Sequence, residues 1–342
     1  MITAALGRLA AGENLAQPET TAVFDAVMEG QLPEEQIALL LTALRAKGET
    51  VEEIAGAALS LRKHMLPIRT RHRTVIDTCG TGGVGSRLFN ISTTAALVTA
   101  AAGVPVAKHG NRAVTSCTGS ADVLAALGVN VAADVPCVER CLDELGICFC
   151  FAPLMHPTMK RVADVRRRLG VPTIFNLLGP LCNPAGAPFQ LLGVGRAELR
   201  QTMAKALARL GTQHSVVVSG DGELGEVTLA GETHVTEVVH DGTLNELRWT
   251  AADFGLPPAV SLEPLIVEDS GQSANLIQRL LAGETGPARE IVAANAAAAL
   301  WISGKAGSLP EGVQMAHQAI NSGAAQHLLT RLVELTNEKN QL

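Results

Sequence analysis

Hydrophobic residues in the first seventy positions recur with the spacing of helices. A first amphipathic helix is predicted to begin after Pro33 and to end at Gly48, with a buried face spaced i, i+3, i+4 and i+7. That face consists of Ile37, Leu40, Leu41 and Leu44. The sequence Thr-Val-Glu-Glu at 50–53 is typical of a capping box and predicts a second helix that runs to about Met65. Because strand-like alternation is missing here, residues 1–70 are predicted to form a small α-helical domain.

The pattern changes at residue 74. Short β-branched or apolar runs then alternate with helical periodicities, which favours a mostly parallel sheet covered by helices. Strands are predicted at 74–78, 104–107, 147–151, 191–194, 215–219, 226–229 and 234–239. Helices are predicted at 92–102, 120–127, 160–169, 197–210, 273–281, 288–302, 313–322 and 324–335.

Residues 71–342 are therefore predicted to form a large α/β domain with a mostly parallel central sheet flanked by helices. The segment 168–187 is too rich in glycine and proline for one long element. Parts of it are interpreted as a hinge or crossing segment that joins the small domain. The predicted fold class is α/β, with a small all-α N-terminal domain before the large domain.

The composition narrows the class of protein. The 342 residues are 47% hydrophobic, enough for a substantial core, and carry a net charge of −6. This acidic balance disfavours general nucleic-acid binding, which usually needs a basic surface. Apolar runs stay well below the roughly 20 residues of a membrane helix. The N-terminus also lacks the basic-then-apolar order of a signal peptide. A cytoplasmic location without membrane contact is expected.

The seven cysteines are expected to be reduced thiols, because their number is odd and an intracellular location is expected. Two closely spaced pairs, Cys137 with Cys141 and Cys148 with Cys150, are compatible with packing or with metal binding. The first pair has the i, i+4 spacing of a helix face, and the second lies in an apolar strand-like run. Packing is therefore favoured over a metal site.

Three polar clusters follow predicted strands or begin predicted helices. The loop Gly80-Thr81-Gly82-Gly83 exposes backbone N–H groups that suit phosphate, although a simple tight turn has the same sequence. Its spacing matches neither a dinucleotide fingerprint nor a P-loop, so nicotinamide or ATP binding is disfavoured. Asn90-Ile91-Ser92-Thr93 suits a helix cap and a phosphate or metal site equally well. The predicted loop Lys108-His109-Gly110-Asn111-Arg112 places cations beside glycine after a buried strand, which favours anion binding.

Seven segments, in order along the chain, resemble the anthranilate phosphoribosyltransferase family. They are 77–83, 89–93, 108–112, 119–122, 156–160, 165–167 and 175–184. The resemblance covers essentially the whole chain, and so many long motifs in series make it specific. The broader group of this fold includes the pyrimidine nucleoside phosphorylases.

The resemblance implies an enzyme that joins the amine of anthranilate to C1 of phosphoribosyl pyrophosphate (PRPP). Pyrophosphate is released, and the step belongs to tryptophan biosynthesis. The implied cofactor is Mg²⁺, held by Ser92 and Glu226, and the implied assembly is a homodimer formed through the helical domain. Anthranilate is expected to contact Gly80, Asn111 and Arg166. PRPP is expected to contact Gly80, Gly83, Val84, Asn90, Ile91, Ser92, Thr93, Lys108, His109, Gly110, Asn111, Arg112, Ala113, Val114, Thr115, Ser116 and Ser120.

This reaction needs no side-chain nucleophile, so no residue is assigned as a certain catalytic group. Lys108, Asn111 and Arg166 are expected to position the substrates and to stabilise charge. A guanidinium binds both oxygens of a carboxylate, which suits Arg166, although without the resemblance Arg166 is interpreted as a solvated helix residue. His109 and His156 either shape the aromatic site or assist proton loss, and His156-Pro157 is equally compatible with a simple turn.

Three positions depart from the pattern of the family. Val84 and Leu88 stand where an aspartate and a threonine are usual, and the usual Asp-Glu pair reads Gly225-Glu226. Loss of a carboxylate is expected to weaken magnesium binding, unless Glu223 takes its place. Two other hypotheses stay open: a nucleoside phosphorylase-like enzyme or a transferase for another aromatic amine, and a paralogue that binds phosphate or nucleic acid without turnover.

Overall fold

The computed structural model describes residues 2–81, 87–113, 117–259 and 261–338. Its first part is helical, as predicted, and consists of α1 (Ile2–Ala10), α2 (Gln17–Met28), α3 (Glu34–Lys47) and α4 (Val51–His64). The predicted apolar face of α3 is buried. The capping box of α4 is confirmed, because the Thr50 side chain accepts from Glu53 N while the Glu53 carboxylate accepts from Thr50 N at 2.8 Å.

Glu53 joins three parts of this helical region from a fully buried position. Its carboxylate accepts from Leu15 N at 3.0 Å and pairs with Lys47 Nζ at 2.9 Å. Glu53→Gln leaves the buried Lys47 ammonium without its counter-charge, so the free energy of unfolding should fall by about 2–3 kcal/mol. Urea unfolding measures this loss, with the exposed Glu35→Gln as control. Equal stability of the two variants would contradict the assignment.

Seven strands of the described chain form one sheet. They are β1 (Ile76–Gly80), β2 (Val106–Gly110), β3 (Ile147–Phe151), β4 (Phe189–Gly193), β5 (His214–Gly220), β6 (Thr233–Val239) and β7 (Leu244–Trp249). The order across the sheet is β3-β2-β1-β4-β5-β6-β7. The first five strands along the chain pair in parallel, and β6 and β7 are antiparallel at one edge. The predicted mostly parallel sheet is therefore confirmed.

The other α-helices of the described chain pack on the sheet, on one another or on the N-terminal helices. They are α5 (Ile91–Ala101), α6 (Ser120–Ala126), α7 (Val135–Leu145), α8 (Ala152–Met155), α9 (Lys160–Leu169), α10 (Phe175–Leu178), α11 (Leu199–Arg209), α12 (Ser270–Leu281), α13 (Pro287–Ile302), α14 (Leu309–Asn321) and α15 (Ala324–Asn337). Alternate strand residues enter different cores, with Leu191 and Val216 in one and Leu192 and Val217 in the other. In the described ranges, no helix is long and apolar enough to cross a membrane.

The glycine- and proline-rich segment and the helix before it share their core with the N-terminal helices. Val162 and Val165 of α9, together with Ile174, are buried in the same cluster as residues of α2, α3 and α4. Phe175 packs on Phe24, with 5.7 Å between the ring centroids. The chain therefore returns to the helical region after β3 and before β4.

The strand β2 extends farther than predicted. Lys108, His109 and Gly110 were expected in a loop, but they pair in register with Phe149, Cys150 and Phe151 of β3. The parallel ladder satisfies the backbone of these polar residues and holds their side chains inside the protein. The residue types at 108–110 did not predict a strand, because β2 extends through them only by pairing with β3.

At the other edge of the sheet, one predicted strand is wrong and one strand was missed. Residues 226–229 form no strand, because the side chain of Asn295 bonds both the N–H and the carbonyl of Val227, at 3.0 and 2.9 Å. These bonds replace a neighbouring strand. The strand β7 was missed, since most of its side chains face solvent at the sheet edge and lack an apolar pattern.

The described cysteines are all free thiols. Cys137 and Cys141 lie on α7, and Cys148 and Cys150 lie on β3 with 3.8 Å between their sulfur atoms. The helix and strand positions predicted for the two pairs are confirmed. Cys141, Cys148 and Cys150 belong to the apolar core beside the sheet.

Candidate active site

Most of the predicted site residues that the structure describes gather at the carboxyl ends of β1 and β2. These neighbouring parallel strands end at Gly80 and Gly110. The helix α5 begins close by at Ile91, and α6 begins at Ser120. In open α/β sheets, ligands bind outside the carboxyl ends of the strands. Five predicted PRPP contacts, Gly83, Val84, Val114, Thr115 and Ser116, lie outside the described residues.

Lys108 is a buried cation at the centre of this edge. It is 4% exposed, and its Nζ donates to Thr78 O at 2.5 Å and to Ser92 Oγ at 3.3 Å. Burial lowers the pKa of Lys108, while the nearby Asp77 and Glu226 favour its charged form. The ammonium group is therefore fixed beside the start of α5, where the positive end of the helix dipole also favours an anion.

Glu226 comes from a distant part of the chain to lie beside Ser92, close enough to Lys108 for a charge interaction. Burial raises the pKa of the Glu226 carboxyl to about 7, and Lys108 together with hydrogen bonds from Ser92 acts in the opposite direction. One carboxylate and one hydroxyl are typical protein ligands of Mg²⁺, which fills its other positions with phosphate and water. In the described ranges, no three His, Cys, Asp or Glu side chains are placed to hold a metal alone. Ser92 and Glu226 therefore fit a magnesium ion shared with a phosphorylated ligand.

Asn90 is held by residues that the sequence did not single out. Its backbone N–H donates to Ser273 Oγ at 3.1 Å, and its Oδ1 accepts from Ser273 at 2.8 Å and from Thr118 at 3.1 Å. Ser273 lies on α12 and is fully buried. The only feature of the sequence that could have pointed to Ser273 is the presence of a serine on the apolar face of a helix. Two neighbours of Asn90, Ile91 and Thr93, bury their side chains, so they offer a ligand mainly their backbone.

The segment after β2 is closed by one carboxylate. Asp122 accepts from Ala113 N at 2.8 Å and from Gly119 N at 3.1 Å, and it pairs with Arg112 at 3.0 Å. Ser120 donates to Asn111 O at 3.3 Å. Asp122 therefore ties both described ends of the 111–119 loop to α6, which fixes the exposed residues 111–113 at the site.

His109 and His156 form a buried pair behind Lys108. Their Nε2 atoms are 3.2 Å apart, and His109 Nδ1 lies 2.9 Å from Gly179 O, so this nitrogen carries the proton and donates to the carbonyl. Burial lowers the pKa of His109 to about 3 and that of His156 to about 4. Both rings are neutral near pH 7. His109 therefore contributes a rigid wall to the site and no positive charge.

This pair predicts a loss of stability in mild acid. Both folded-state pKa values lie below the ordinary 6.5, so the unfolded chain binds more protons once the pH falls below 6.5. The stabilisation is complete above that pH, and lowering the pH to 5 should remove about 2 kcal/mol for each histidine. Denaturant unfolding of the protein and of His156→Gln at pH 7.5 and 5.0 measures the difference. An identical pH dependence in both proteins would refute it.

Arg166 lies on α9, apart from the Lys108 cluster. Its guanidinium carbon is 5.4 Å from the ring centroid of Phe175, and burial lowers its pKa. Its neighbours Arg167 and Arg168 pair with Asp164 and Glu34. Arg166 itself makes no ion pair with any described residue. A partly buried guanidinium without a carboxylate partner is suited to an anionic ligand.

Two of the three sequence departures lie in the described chain. Leu88 packs against the apolar core and its backbone bridges Ile266. Gly225 packs directly on the backbone of Gly193, and a Cβ atom added to Gly225 would lie 3.3–3.4 Å from backbone atoms of residues 193–195. A side chain at 225 therefore needs a small backbone shift. Val84 lies outside the described residues.

Known proteins share both parts of this architecture. The model of the glycosyl transferase family, a/b domain, matches residues 72–326, and that of its helical bundle domain matches residues 3–65. An anthranilate phosphoribosyltransferase of Rhodopirellula baltica is 51% identical over 323 residues, which cover 94% of this chain and 94% of the relative.

Two solved structures agree with this match. The anthranilate phosphoribosyltransferase of Thermus thermophilus has a TM-score of 0.90 and 44% identity, over 97% of this chain and 99% of that one. The Saccharomyces cerevisiae protein, in complex with PRPP and Mg, has a TM-score of 0.88 and 26% identity, over 99% and 98% of the two chains. The chain therefore belongs to the anthranilate phosphoribosyltransferase family.

Proposed function

We propose that this chain transfers the phosphoribosyl group of PRPP to the amine of anthranilate, as a step of tryptophan biosynthesis. The products are N-(5-phosphoribosyl)anthranilate and pyrophosphate. The observation that carries the proposal is the cluster of Lys108, Ser92 and Glu226 at the carboxyl edge of the sheet. It combines a fixed cation with oxygen ligands for a metal at the place where this fold binds ligands.

Lys108 and the start of α5 bind the pyrophosphate of PRPP in this proposal. Breaking the C1–O bond leaves negative charge on the departing pyrophosphate and positive character on the ribose ring. The buried Lys108 ammonium stabilises that negative charge without reorganisation, because Thr78 and Ser92 already hold it in place. Asp122 keeps the segment 111–113 in position to close over the phosphates.

Ser92 and Glu226 hold Mg²⁺ in this proposal. Bound there, the ion would supply positive charge close to the departing pyrophosphate. Glu226 is also the only carboxylate that remains of the usual Asp-Glu pair, since residue 225 is glycine. The protein is therefore expected to require more free magnesium than a chain with both carboxylates.

Arg166, Asn111 and Gly80 bind anthranilate in this proposal. Arg166 has no carboxylate partner among the described residues and is already desolvated beside Phe175. It can therefore pair with the carboxylate of anthranilate through two parallel hydrogen bonds. The amine must then point toward C1, because C1 has to lie between anthranilate and the pyrophosphate. Holding both substrates in this arrangement is expected to supply most of the rate acceleration.

Loss of anthranilate fluorescence tests the proposed function. The purified protein should consume anthranilate only when PRPP and Mg²⁺ are both present. Omission of either compound, or addition of a chelator, provides the control. Fluorescence that stays at the blank level with millimolar magnesium would contradict the proposal. Binding of PRPP without any product would favour the paralogue without turnover.

Arg166→Lys tests the anthranilate half of the site. Lysine keeps the charge but cannot make two parallel hydrogen bonds to a carboxylate, so KM for anthranilate should rise at least about tenfold. KM for PRPP should stay the same. Steady-state kinetics measure both constants, and Arg167→Lys on the same helix is the matched control. A rise in KM for PRPP alone would contradict the role of Arg166.

We also propose the organisation of the whole protein. Residues 1–70 form the helical domain together with parts of 168–187, and residues 71–342 form the α/β domain. Two copies associate through the helical domain and act in the cytoplasm. Exposed leucines on this domain support the association, since Leu39 of α3 is 59% exposed and Leu59 of α4 is 37% exposed. Sedimentation of the protein and of Leu39→Glu tests whether these residues hold a dimer.

A further inference from the structure

The segment 265–273 leads into α12 and braces the chain on both flanks of the candidate active site. Two backbone hydrogen bonds, at 3.0 and 2.7 Å, join residues 265 and 267 to residues 89 and 87, which lie just before α5. On the other flank, the Cys117 thiol donates to Val267 O at 3.5 Å. Both flanks are therefore held by the same distant part of the chain.

Ser273 lies at the end of this segment and makes a reciprocal pair of hydrogen bonds with Asn90. Its Oγ accepts from Asn90 N at 3.1 Å and donates to Asn90 Oδ1 at 2.8 Å. The Asn90 oxygen also accepts from Thr118 Oγ1 at 3.1 Å. Two hydroxyl donors from different parts of the chain therefore fix the direction in which the Asn90 amide points.

The Asn90 side chain does not cap α5, although it stands at the N-cap position. An asparagine at that position usually turns its oxygen toward the N–H groups of the first turn. Here the oxygen is turned toward Ser273 and Thr118 instead. An oxygen held against the first turn would occupy the place where the helix dipole favours an anion, and it would repel that anion. Ser273 therefore helps to keep this place open.

The same orientation leaves a hydrogen-bond donor on Asn90. Its Nδ2 donates one hydrogen to Thr118 O at 3.4 Å, and the second Nδ2 hydrogen has no acceptor among the described residues. Asn90 is partly exposed, so a ligand can reach this hydrogen. The amide presents its donor to a phosphate oxygen only while its own oxygen points the other way.

We propose that Ser273 is a positioning residue of the PRPP site and that it acts through Asn90. It holds the Asn90 oxygen away from the start of α5 and thereby directs the Asn90 amide N–H to a phosphate oxygen of PRPP. Ser273 itself touches no substrate, because it is fully buried. This role rests on the proposed function, since it belongs to the same site.

Calorimetry of PRPP binding, with Mg²⁺ and without anthranilate, tests this role independently of the transfer reaction. Ser273→Ala should raise Kd for PRPP about tenfold, the effect of losing one hydrogen bond to a charged group. KM for anthranilate should stay the same. Ser60→Ala is the matched control, because Ser60 is also fully buried and its hydroxyl donates to Asp25 at 2.7 Å in the helical region. This control should lose stability and still bind PRPP normally.

A double-mutant cycle tests whether Ser273 acts through Asn90. Asn90→Ala should weaken PRPP binding by itself, and the addition of Ser273→Ala should then cause no further loss. Additive effects of the two substitutions would overturn the proposal, because they would show that Ser273 acts by another route.

Thr118→Val provides a second test if Ser273→Ala fails to fold. Valine keeps the shape of the side chain but removes the other donor to the Asn90 oxygen, so Kd for PRPP should again rise. An unchanged Kd in either folded variant would overturn the role of Ser273 and leave the proposed function intact. PRPP binding that depends on Ser273 without any turnover would contradict the proposed function alone, and absence of PRPP binding by the unmodified protein would overturn both.

Discussion

Lys108→Met is expected to lower kcat/KM for PRPP by about 10³-fold, since one preorganised donor in a dry site contributes 10²–10³ and Lys108 also carries a charge. The lysine is 4% exposed and is held by Thr78 O and Ser92 Oγ. Nothing has to reorganise when negative charge develops on the departing pyrophosphate. Methionine keeps most of the volume but provides neither the charge nor the hydrogen bonds. Steady-state kinetics with PRPP as the varied substrate measure the effect.

Stability distinguishes this catalytic effect from damage to the fold. Lys108→Met leaves the buried carboxyls of Asp77 and Glu226 without their nearby cation, so Tm should fall, and kcat/KM is therefore measured well below the Tm of the variant. The exposed Lys205→Met is the matched control and should keep full activity. If Lys108→Met retains kcat/KM within a few-fold of the unmodified protein, Lys108 does not stabilise the leaving group.

Glu226→Gln is expected to lower kcat/KM by about 10²-fold and to raise the magnesium concentration needed for half activity at least tenfold. Glutamine keeps the shape of the side chain but provides a neutral oxygen in place of an anionic ligand. Glu226 accepts hydrogen bonds from Ser92 and interacts electrostatically with Lys108, so its replacement removes the carboxylate that faces Ser92. Activity measured against free magnesium gives both effects.

Glu223 and Gly225 provide the controls for this prediction. Glu223 is exposed and has a left-handed backbone with φ 60°, so Glu223→Gln should leave the magnesium requirement unchanged. Gly225→Asp restores the usual pair and should lower that requirement, provided that the backbone yields where the new Cβ lies 3.3 Å from residue 195. If Glu223→Gln raises the requirement and Glu226→Gln does not, the metal ligand is Glu223.

The sequence predicted the architecture well because periodicity reports burial directly. The apolar face of α3 and the capping box of α4 were both found where expected. The mostly parallel pairing of the strands was also predicted, from the alternation of strands and helices along the chain. The predictions were wrong or missing for elements whose pairing depends on residues distant in the sequence. The side chain of Asn295, 68 positions farther along the chain, bonds the backbone of Val227. The apolar residues around Val227 predicted a strand, because the local sequence does not show this distant contact.

The candidate site was predicted only in part, because several of its contacts join residues that are far apart in the sequence. Lys108 and Ser92 were chosen from motifs, but the sequence could not show that Lys108 lies inside a strand and bonds Thr78 and Ser92. Ser273 was missed because its contact with Asn90 joins positions 183 residues apart. The assignments for Gly83, Val84, Val114, Thr115 and Ser116 stay predictions.

The identity of the product tests the central claim most directly. Mass spectrometry after incubation with anthranilate, PRPP and Mg²⁺ should detect N-(5-phosphoribosyl)anthranilate. One equivalent of pyrophosphate should be released for each anthranilate consumed, and both signals should fall together in Lys108→Met. Pyrophosphate released without the anthranilate adduct, or an adduct formed with another amine or a nucleobase in preference to anthranilate, would contradict the account.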